Sequence, residues 1–380
     1  MKWKIPLLMD LNGKVIEKDD EIALLQHQTV VVCFNTGCAN EKACISGDNP
    51  VISYKKSRYS SDRSIKHRAA FLEKRECSDD LCSYSLQLSS SQKWNFSTTD
   101  KALLTWLKEL AGIIELSAGT IGGGRQMFCS IENDQTKNDF KATRQALINN
   151  GWQCHNLPAL SVLHHELTSD VLCHMKHIGT PVDKIKAMRD ILYPLYRDSI
   201  NQGGILFHAG LIEKEGKGVV LAGRTGAGKS TCCKRLPDQW KTLCDDEILV
   251  VLGNDGVYRA HPFPTWSEYL NGGSAKTWNV QYSVPLCGVF FIEQSDLDAS
   301  VCLGQGKAAF CMNESALQVY RKYWSMANDD NQRKFLSHLF DNSCEMAKKI
   351  PAFNLRVSLY GCFWEEIERT LGWQECRHNS

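Results

Sequence analysis

Residues 223–231 read Gly-Arg-Thr-Gly-Ala-Gly-Lys-Ser-Thr, a complete match to GxxxxGK[ST]. Each residue type in that pattern serves phosphate chemistry. Gly223, Gly226 and Gly228 let the backbone wrap closely and aim successive N–H groups at phosphate oxygens, with Arg224, Thr225, Ala227 and Thr231 completing the loop. Lys229 carries the charge that reaches the β- and γ-phosphates, and the Ser230 hydroxyl suits a Mg²⁺ ion. The competing reading is a glycine-rich turn. Asp245 and Asp246 follow only 16 and 17 residues after Lys229, within TLCDDEILVV. Adjacent carboxylates in a strand point to opposite sides unless the backbone bends, so one can face a metal while the other approaches an incoming hydroxyl. A solvated acidic strand end is the plainer alternative. His208, in LFHAGL just upstream, can donate to a phosphate or orient a carboxylate, although a strand histidine is ordinarily a core residue with one satisfied hydrogen bond.

The elements that must position these residues are legible around them. GGILFHAGLIE and GVVLAG, separated by EKEGKG, predict a hairpin over about 205–222 that feeds directly into the loop. A helix is expected from Ser230 to Leu236, closed by Pro237, with its N-terminus adding partial positive charge. TLCDDEILVV predicts a strand emerging beside the loop, and VPLCGVFFIEQ (284–294) a buried one. Amphipathic helices are expected over 314–324 and 331–350, with Leu317, Tyr320, Trp324, Phe335, Leu339 and Phe340 inward. A last helix carries Phe363, Trp364, Ile367 and Leu371 and stops at Gly372.

The first 200 residues read as an α+β domain. Asn12-Gly13 suggests a tight hairpin and TVVVCF (29–34) a strand, while 35–95 turns polar and predicts insertions and loops. Helices are expected over 100–111 (stopped by Gly112), 140–149 and 180–192, the last capped by Thr180 with Pro181 at its first position. Gly122–Gly124 reads as a bend into a strand over 126–131. The fold class expected is therefore α/β: an α+β domain over 1–200 and a phosphate-loop domain with a mixed sheet over 201–380.

The features FHAGLIE, VVLAGRTGAGKST and CDDE, in that order, resemble the HPr kinase and phosphoenolpyruvate-carboxykinase-like group. The resemblance covers about residues 203–262. It implies that His208, Lys229, Ser230 and Asp246 form an active site, with Asp246 as base toward a substrate serine and Asp245 as metal or support carboxylate. LCDDE, HPFPTWSE and GCFWEEIE further resemble the HPr-kinase-like SynChlorMet cassette proteins of peptide-modification gene clusters. Where HPr kinases carry a Gly- and Ile-rich signature segment, this chain has HPFPTWSEYLNGG, which leaves Glu268 as the metal-binding glutamate and Arg259 and Lys276 as replacement cations. Trp266 is a candidate contact for substrate or adenine.

The expectation is an ATP- and Mg²⁺-dependent kinase acting on a Ser or Thr hydroxyl of a ribosomally made precursor peptide or small protein, with the first domain recognising the peptide. A nucleotide-binding scaffold or sensor and a small-molecule kinase, for free serine for example, are the alternatives.

Composition narrows the field. Lys+Arg 44 against Asp+Glu 43 gives a net charge of +1, evenly spread, which argues against an electrostatic nucleic-acid or membrane partner; a homo-oligomer stays open. No run approaches the roughly 20 apolar residues of a membrane span, and the five-residue apolar run before Asp10 is too short for a secretory signal. The 17 cysteines read as reduced thiols in a cytoplasmic protein. Two sets invite a metal: Cys33, Cys38, Cys44, Cys77 and Cys82, and His164, His165, Cys173, His174 and His177. Neither has a recognised ligand spacing, so buried thiols and core histidines are the default. Cys232, Cys233 and Cys244 flank the phosphate loop and the Asp pair, which predicts activity sensitive to oxidants.

Overall fold

The structure, a computed structural model, describes residues 32–33, 51–53, 70–71, 82–88, 92–119, 124–132, 137–165, 170–176, 178–271, 276–324 and 329–373. The architecture is α/β, and the chain forms two compact units, 1–85 with 93–110 and 117–191, and 86–92 with 111–116 and 192–380. The Asn12-Gly13 hairpin lies outside the described residues.

Short strands β1 (Val32–Cys33), β2 (Val51–Ser53) and β3 (Ala70–Phe71) pair in an antiparallel three-stranded sheet. The polar stretch expected as loops also contains β4 (Cys82–Leu88) and β5 (Gln92–Thr98). In β4, Ser83, Ser85 and Gln87 alternate with the buried Leu86 and Leu88, while β5 is buried on both faces, with Trp94 and Phe96 on one and Asn95 and Ser97 on the other. Next come α1 (Lys101–Ile113), β6 (Ser117–Ala118), β7 (Arg125–Ile131), α2 (Lys137–Asn149), β8 (Gln153–Asn156), β9 (Leu160–His164) and β10 (Val171–Met175). They complete a seven-stranded mixed sheet ordered β6-β4-β5-β7-β10-β9-β8. Helix α1 runs through Gly112 rather than stopping at it.

Helix α3 (Pro181–Asp190) has the expected cap: Thr180 Oγ1 accepts from the Asp183 N–H at 3.1 Å, and Pro181 opens the helix. It does not continue through Leu192. Pro194 has no N–H to bond the Asp190 carbonyl, so the ladder breaks and the chain restarts as α4 (Tyr193–Asn201).

The second unit holds an eight-stranded sheet. Its strands are β11 (Ile205–Lys214), β12 (Lys217–Ala222), β13 (Lys241–Cys244), β14 (Glu247–Leu252), β15 (Tyr258–Phe263), β16 (Val284–Gln294), β17 (Ala299–Cys302) and β18 (Ala352–Val357). The path runs β12-β11-β14-β15-β16-β18-β17, with β13 on β11, and β12 also pairs with β16, so five strands close on themselves. Strands β12, β16 and β18 are mutually parallel. The remaining helices are α5 (Lys229–Lys234), α6 (Trp266–Leu270), α7 (Gln305–Trp324), α8 (Asp329–Lys349) and α9 (Phe363–Leu371).

One core lies between strands and helices: Ile212, Val219, Leu221, Phe290, Ile292, Phe353 and Leu355 from the sheet meet Cys232 and Cys233 of α5 and Phe363 and Ile367 of α9. Gly372, at φ 69°, ends α9 as expected. Helices α7 and α8 meet through Tyr320 and Phe335, whose rings cross edge-on at 5.2 Å. Phe340, expected inward, is 47% exposed. The buried stripe of α8 runs through Leu339, Ser343 and Met346, and Phe340 stands off it by one residue's rotation.

Candidate functional site

The glycine-rich loop of residues 223–228 leaves the end of β12 and enters α5. Three glycines have left-handed or otherwise glycine-favouring φ: Gly223 at 155°, Gly226 at 83° and Gly228 at 101°. At Gly226 and Gly228 no atom crowds a β-carbon, so backbone conformation, not space, selects glycine there. The Lys229 ammonium is folded back onto its own loop, donating to the carbonyls of Gly223 at 2.9 Å and Arg224 at 3.2 Å. Burial pushes its pKa below the ordinary lysine value, and the nearby Asp246 carboxylate partly opposes that. Arg224, Thr225, Gly226, Ser230 and Thr231 are exposed. Helix α5 is six residues long, shorter than expected, so the loop amides and Lys229 carry more of the positive potential than the helix dipole does.

The aspartate pair sits where the strand beside β11 breaks. Cys244 stays in register with Leu211 and Glu247 with His208, which sets Asp245 and Asp246 opposite Gly210 and Ala209 at a bend between β13 and β14. The bend turns both carboxylates out of the regular alternation. His208 Nδ1 lies 2.9 Å from Asp246 Oδ1 and 3.1 Å from the Asp246 carbonyl oxygen, which also accepts from the Ala209 N–H. Both partners of Nδ1 are acceptors, so Nδ1 carries the proton and a neutral His208 keeps Nε2 as an acceptor. Asp245 Oδ1 accepts from Thr265 Oγ1 at 2.9 Å. Thr265 escapes a motif search; its signal is that Phe263, two residues earlier, pairs with Glu247. Gln294 is a second residue that motif reading passes over. From the end of β16 its Nε2 donates to the Gly226 carbonyl at 3.0 Å.

His208, Lys229, Ser230, Asp245 and Asp246 are thus gathered by β11, the loop and the β13–β14 bend. The other candidates separate. Glu268 is exposed on α6, and its carboxylate makes no hydrogen bond or ion pair among the described residues. Arg259 pairs bidentately with Asp255 and stands opposite Val251, at the end of β15 remote from the Asp pair. Lys276 lies closer. Its charge is felt at the thiols of Cys233 and Cys244, although its ammonium also stands 5.0 Å from the Trp278 ring. Trp266 is only 3% exposed and packs near Tyr269, so its ring is not offered to a ligand.

The neighbouring thiols are shielded. Cys232, Cys233 and Cys244 are buried, and desolvation raises Cys232 to about 11, Cys244 to about 12 and Cys233 well above its ordinary value. The thiolate is the reactive form, so oxidant sensitivity through these three is not expected after all.

Neither proposed metal cluster assembles among the described residues, which contain no group of three or more His, Cys, Asp or Glu arranged for a metal. Cys38, Cys44, Cys77 and His177 lie outside them, as does the side chain of Cys33. His174 is buried against Phe140, hydrogen-bonded to Ser130 Oγ at 2.9 Å, and held at about 4 by desolvation. His164 instead meets His155, with Nε2 atoms 3.0 Å apart.

Residues 171–372, just over half of the chain, match the family model described as SynChlorMet cassette protein ScmC. The chain belongs to the ScmC family. The match spans the β11–β12 hairpin, the phosphate loop, the aspartate bend and GCFWEEIE, so the whole constellation lies within the region that ScmC proteins share. No curated protein matches the chain. Among the described residues, no helix is long and apolar enough to cross a membrane.

Proposed function

We propose that this ScmC-family chain is an HPr-kinase-like phosphotransferase that moves the γ-phosphoryl group of ATP to a Ser or Thr hydroxyl of a precursor peptide or small protein. The observation that carries the reading is the His208–Asp246 pair facing a buried lysine on a complete phosphate loop.

The residues fit a magnesium nucleotide. Glycine-rich backbone, a desolvated ammonium and an exposed Ser230 hydroxyl supply donors and charge for phosphates, while Ser230 and Asp245 offer the hard oxygen ligands that Mg²⁺ prefers. When bound, the ion neutralises phosphate charge and aligns the β- and γ-phosphates. Lys229 exchanges its two carbonyl partners for phosphate oxygens, which keeps a strong charge–charge contact where charge shifts during transfer. Thr265 fixes Asp245 through its hydroxyl.

His208 holds the Asp246 carboxylate through Oδ1 and so fixes its orientation toward the acceptor. Asp246 takes the acceptor's proton as that oxygen forms its bond to the γ-phosphorus. The bond from phosphorus to the bridging oxygen breaks, and ADP leaves with the electron pair.

The test is Asp246→Asn, assayed against short peptides encoded beside the gene, with phosphate incorporation read by mass spectrometry. Transfer falls by at least about a hundredfold, the usual scale of a general base, while Mg·ATP affinity by calorimetry stays within a few fold. Unchanged transfer in Asp246→Asn refutes the assignment of the base. Wild-type protein that binds Mg·ATP yet modifies no peptide refutes the peptide-kinase reading and favours a scaffold.

A further inference from the structure

Strand β12 has a neighbour on each side, and the two flanks differ in chemistry. On one flank β11 and the β13–β14 bend bring His208, Asp245 and Asp246. On the other, β16 and then β18 run parallel to β12, so the turns that follow them leave the sheet at the same edge as the phosphate loop. These turns lie together and against the loop. The Ser295 N–H donates to the Val357 carbonyl at 3.0 Å, and Gln294 reaches Gly226. Ligands of α/β sheets settle at this carboxyl edge.

The two turns present large apolar side chains to water: Leu297 is 76% exposed, Leu359 63% and Tyr360 92%. The turn carrying Leu359 and Tyr360 is firmly held. Asp298 Oδ1 accepts from the Ser358 N–H at 2.6 Å, and Ser358 Oγ from the Gly361 N–H at 3.0 Å. Arg235, which ends the helix that begins at Lys229, donates to the carbonyls of Ser358 at 2.8 Å and Gly361 at 2.6 Å. A β-carbon at Gly361 would run into Asp298 Oδ2 and displace the carboxylate that holds the Ser358 N–H. Four backbone groups are thus pinned to keep an aromatic ring and a leucine in solvent.

We propose that this turn is the nucleobase platform, with Tyr360 and Leu359, assisted by Leu297, taking the face of the purine whose phosphates lie on residues 223–231. The inference rests on the nucleotide reading of the loop and extends it. An acceptor hydroxyl must approach Asp246, on the β11 flank, so the nucleoside leaves along the opposite flank. There the structure offers a preformed apolar surface tied to the loop's own helix. Stacking uses the face of a base and not its hydrogen-bonding edge, so the platform does not distinguish adenine from guanine.

The experiment compares the full chain with Leu359→Ser/Tyr360→Ser and with Tyr360→Phe, titrating each with Mg·ATP and with Mg·tripolyphosphate, which has phosphates but no base. The double variant loses about tenfold or more in ATP affinity, the scale of one lost stacking contact. Its tripolyphosphate affinity is unchanged, and Tyr360→Phe stays near wild type. Unchanged ATP affinity in the double variant overturns the platform, as does an equal loss for both ligands. A double variant that binds ATP normally but loses peptide phosphorylation instead makes the patch a peptide-docking surface, which also overturns it. Wild-type protein that binds neither ligand refutes the nucleotide reading of the loop itself, and the platform with it.

Discussion

Gly210→Ala is a sharp probe of how the site is packed. Gly210 lies on β11 two residues beyond His208 and opposite Asp245, and a β-carbon there would sit 2.6 Å from Cys233 Sγ. Comfortable non-bonded separations are about 3.5–4.0 Å, so the sulfur must retreat by roughly 1 Å. It has little space to do so. Cys233 is 6% exposed, on the helix turn that begins at Lys229, and the same β-carbon would meet the Cys244 carbonyl at 3.6 Å and Asp245 Cα at 3.8 Å. Overpacking of this kind costs about 1–3 kcal/mol. For a unit of about 200 residues that lowers Tm by roughly 3–10 °C.

Cys233→Ala alone leaves a small cavity worth about 1 kcal/mol. In Gly210→Ala/Cys233→Ala the new methyl fills the space left by the sulfur, so the pair returns to within about 1 kcal/mol of wild type. Differential scanning calorimetry on the four proteins closes the cycle, with a favourable coupling of about 1–3 kcal/mol expected. Additive losses would refute the steric argument, because they would mean that residues 210 and 233 do not compete for one volume.

Thiol reactivity provides a second test. Brief alkylation of the native protein near neutral pH, mapped by mass spectrometry, labels the exposed Cys302 and Cys362 and spares Cys232, Cys233 and Cys244. Labelling of Cys244 without denaturant would contradict its burial. A third concerns acid. Burial lowers His174 and His261 from 6.5 to about 4, and His261 is fully buried with Nδ1 2.8 Å from the Val280 carbonyl. The unfolded chain then binds protons that the folded chain refuses between those values, so stability is full above about 6.5 and falls as pH drops toward 4. Melting temperatures measured across that window decline, and His261→Asn flattens the decline; an unchanged slope would count against the assignment.

The loop and hairpin that position the candidate site were legible in the sequence because they depend on local rules. Gly223, Gly226 and Gly228 are demanded by backbone geometry, and the β11–β12 hairpin follows from apolar alternation around EKEGKG. The residues that surround the site were harder to read. Trp266 follows a proline-rich run that looks like a loop, and only the pairing of β14 with β15 shows that it is turned into the core. Arg259 is close to the Asp pair in sequence but four strand positions from Phe263, which puts it at the wrong end. Thr265 and Gln294 matter through contacts with residues 20 and 68 positions away, and no local pattern encodes those. Strands β4 and β5 were hidden because Ser83, Ser85 and Gln87 mask the buried face of β4, and the buried Asn95 and Ser97 of β5 read as polar.

The closed strand circuit has a consequence for the order in which the protein is made. His208, the phosphate loop and the aspartate bend all fall within β11 to β14, fewer than fifty consecutive residues whose strands pair with one another. Contacts between near neighbours in sequence close the smallest loops and form earliest. As the chain emerges from the ribosome, this cluster can therefore assemble while β16 and β18 are still unmade. Its second wall arrives later, Gln294 when β16 returns to pair with β12 and the turn that carries Tyr360 when β18 pairs with β16. On the proposed reading, the phosphate-binding part is specified first and the base platform is added last.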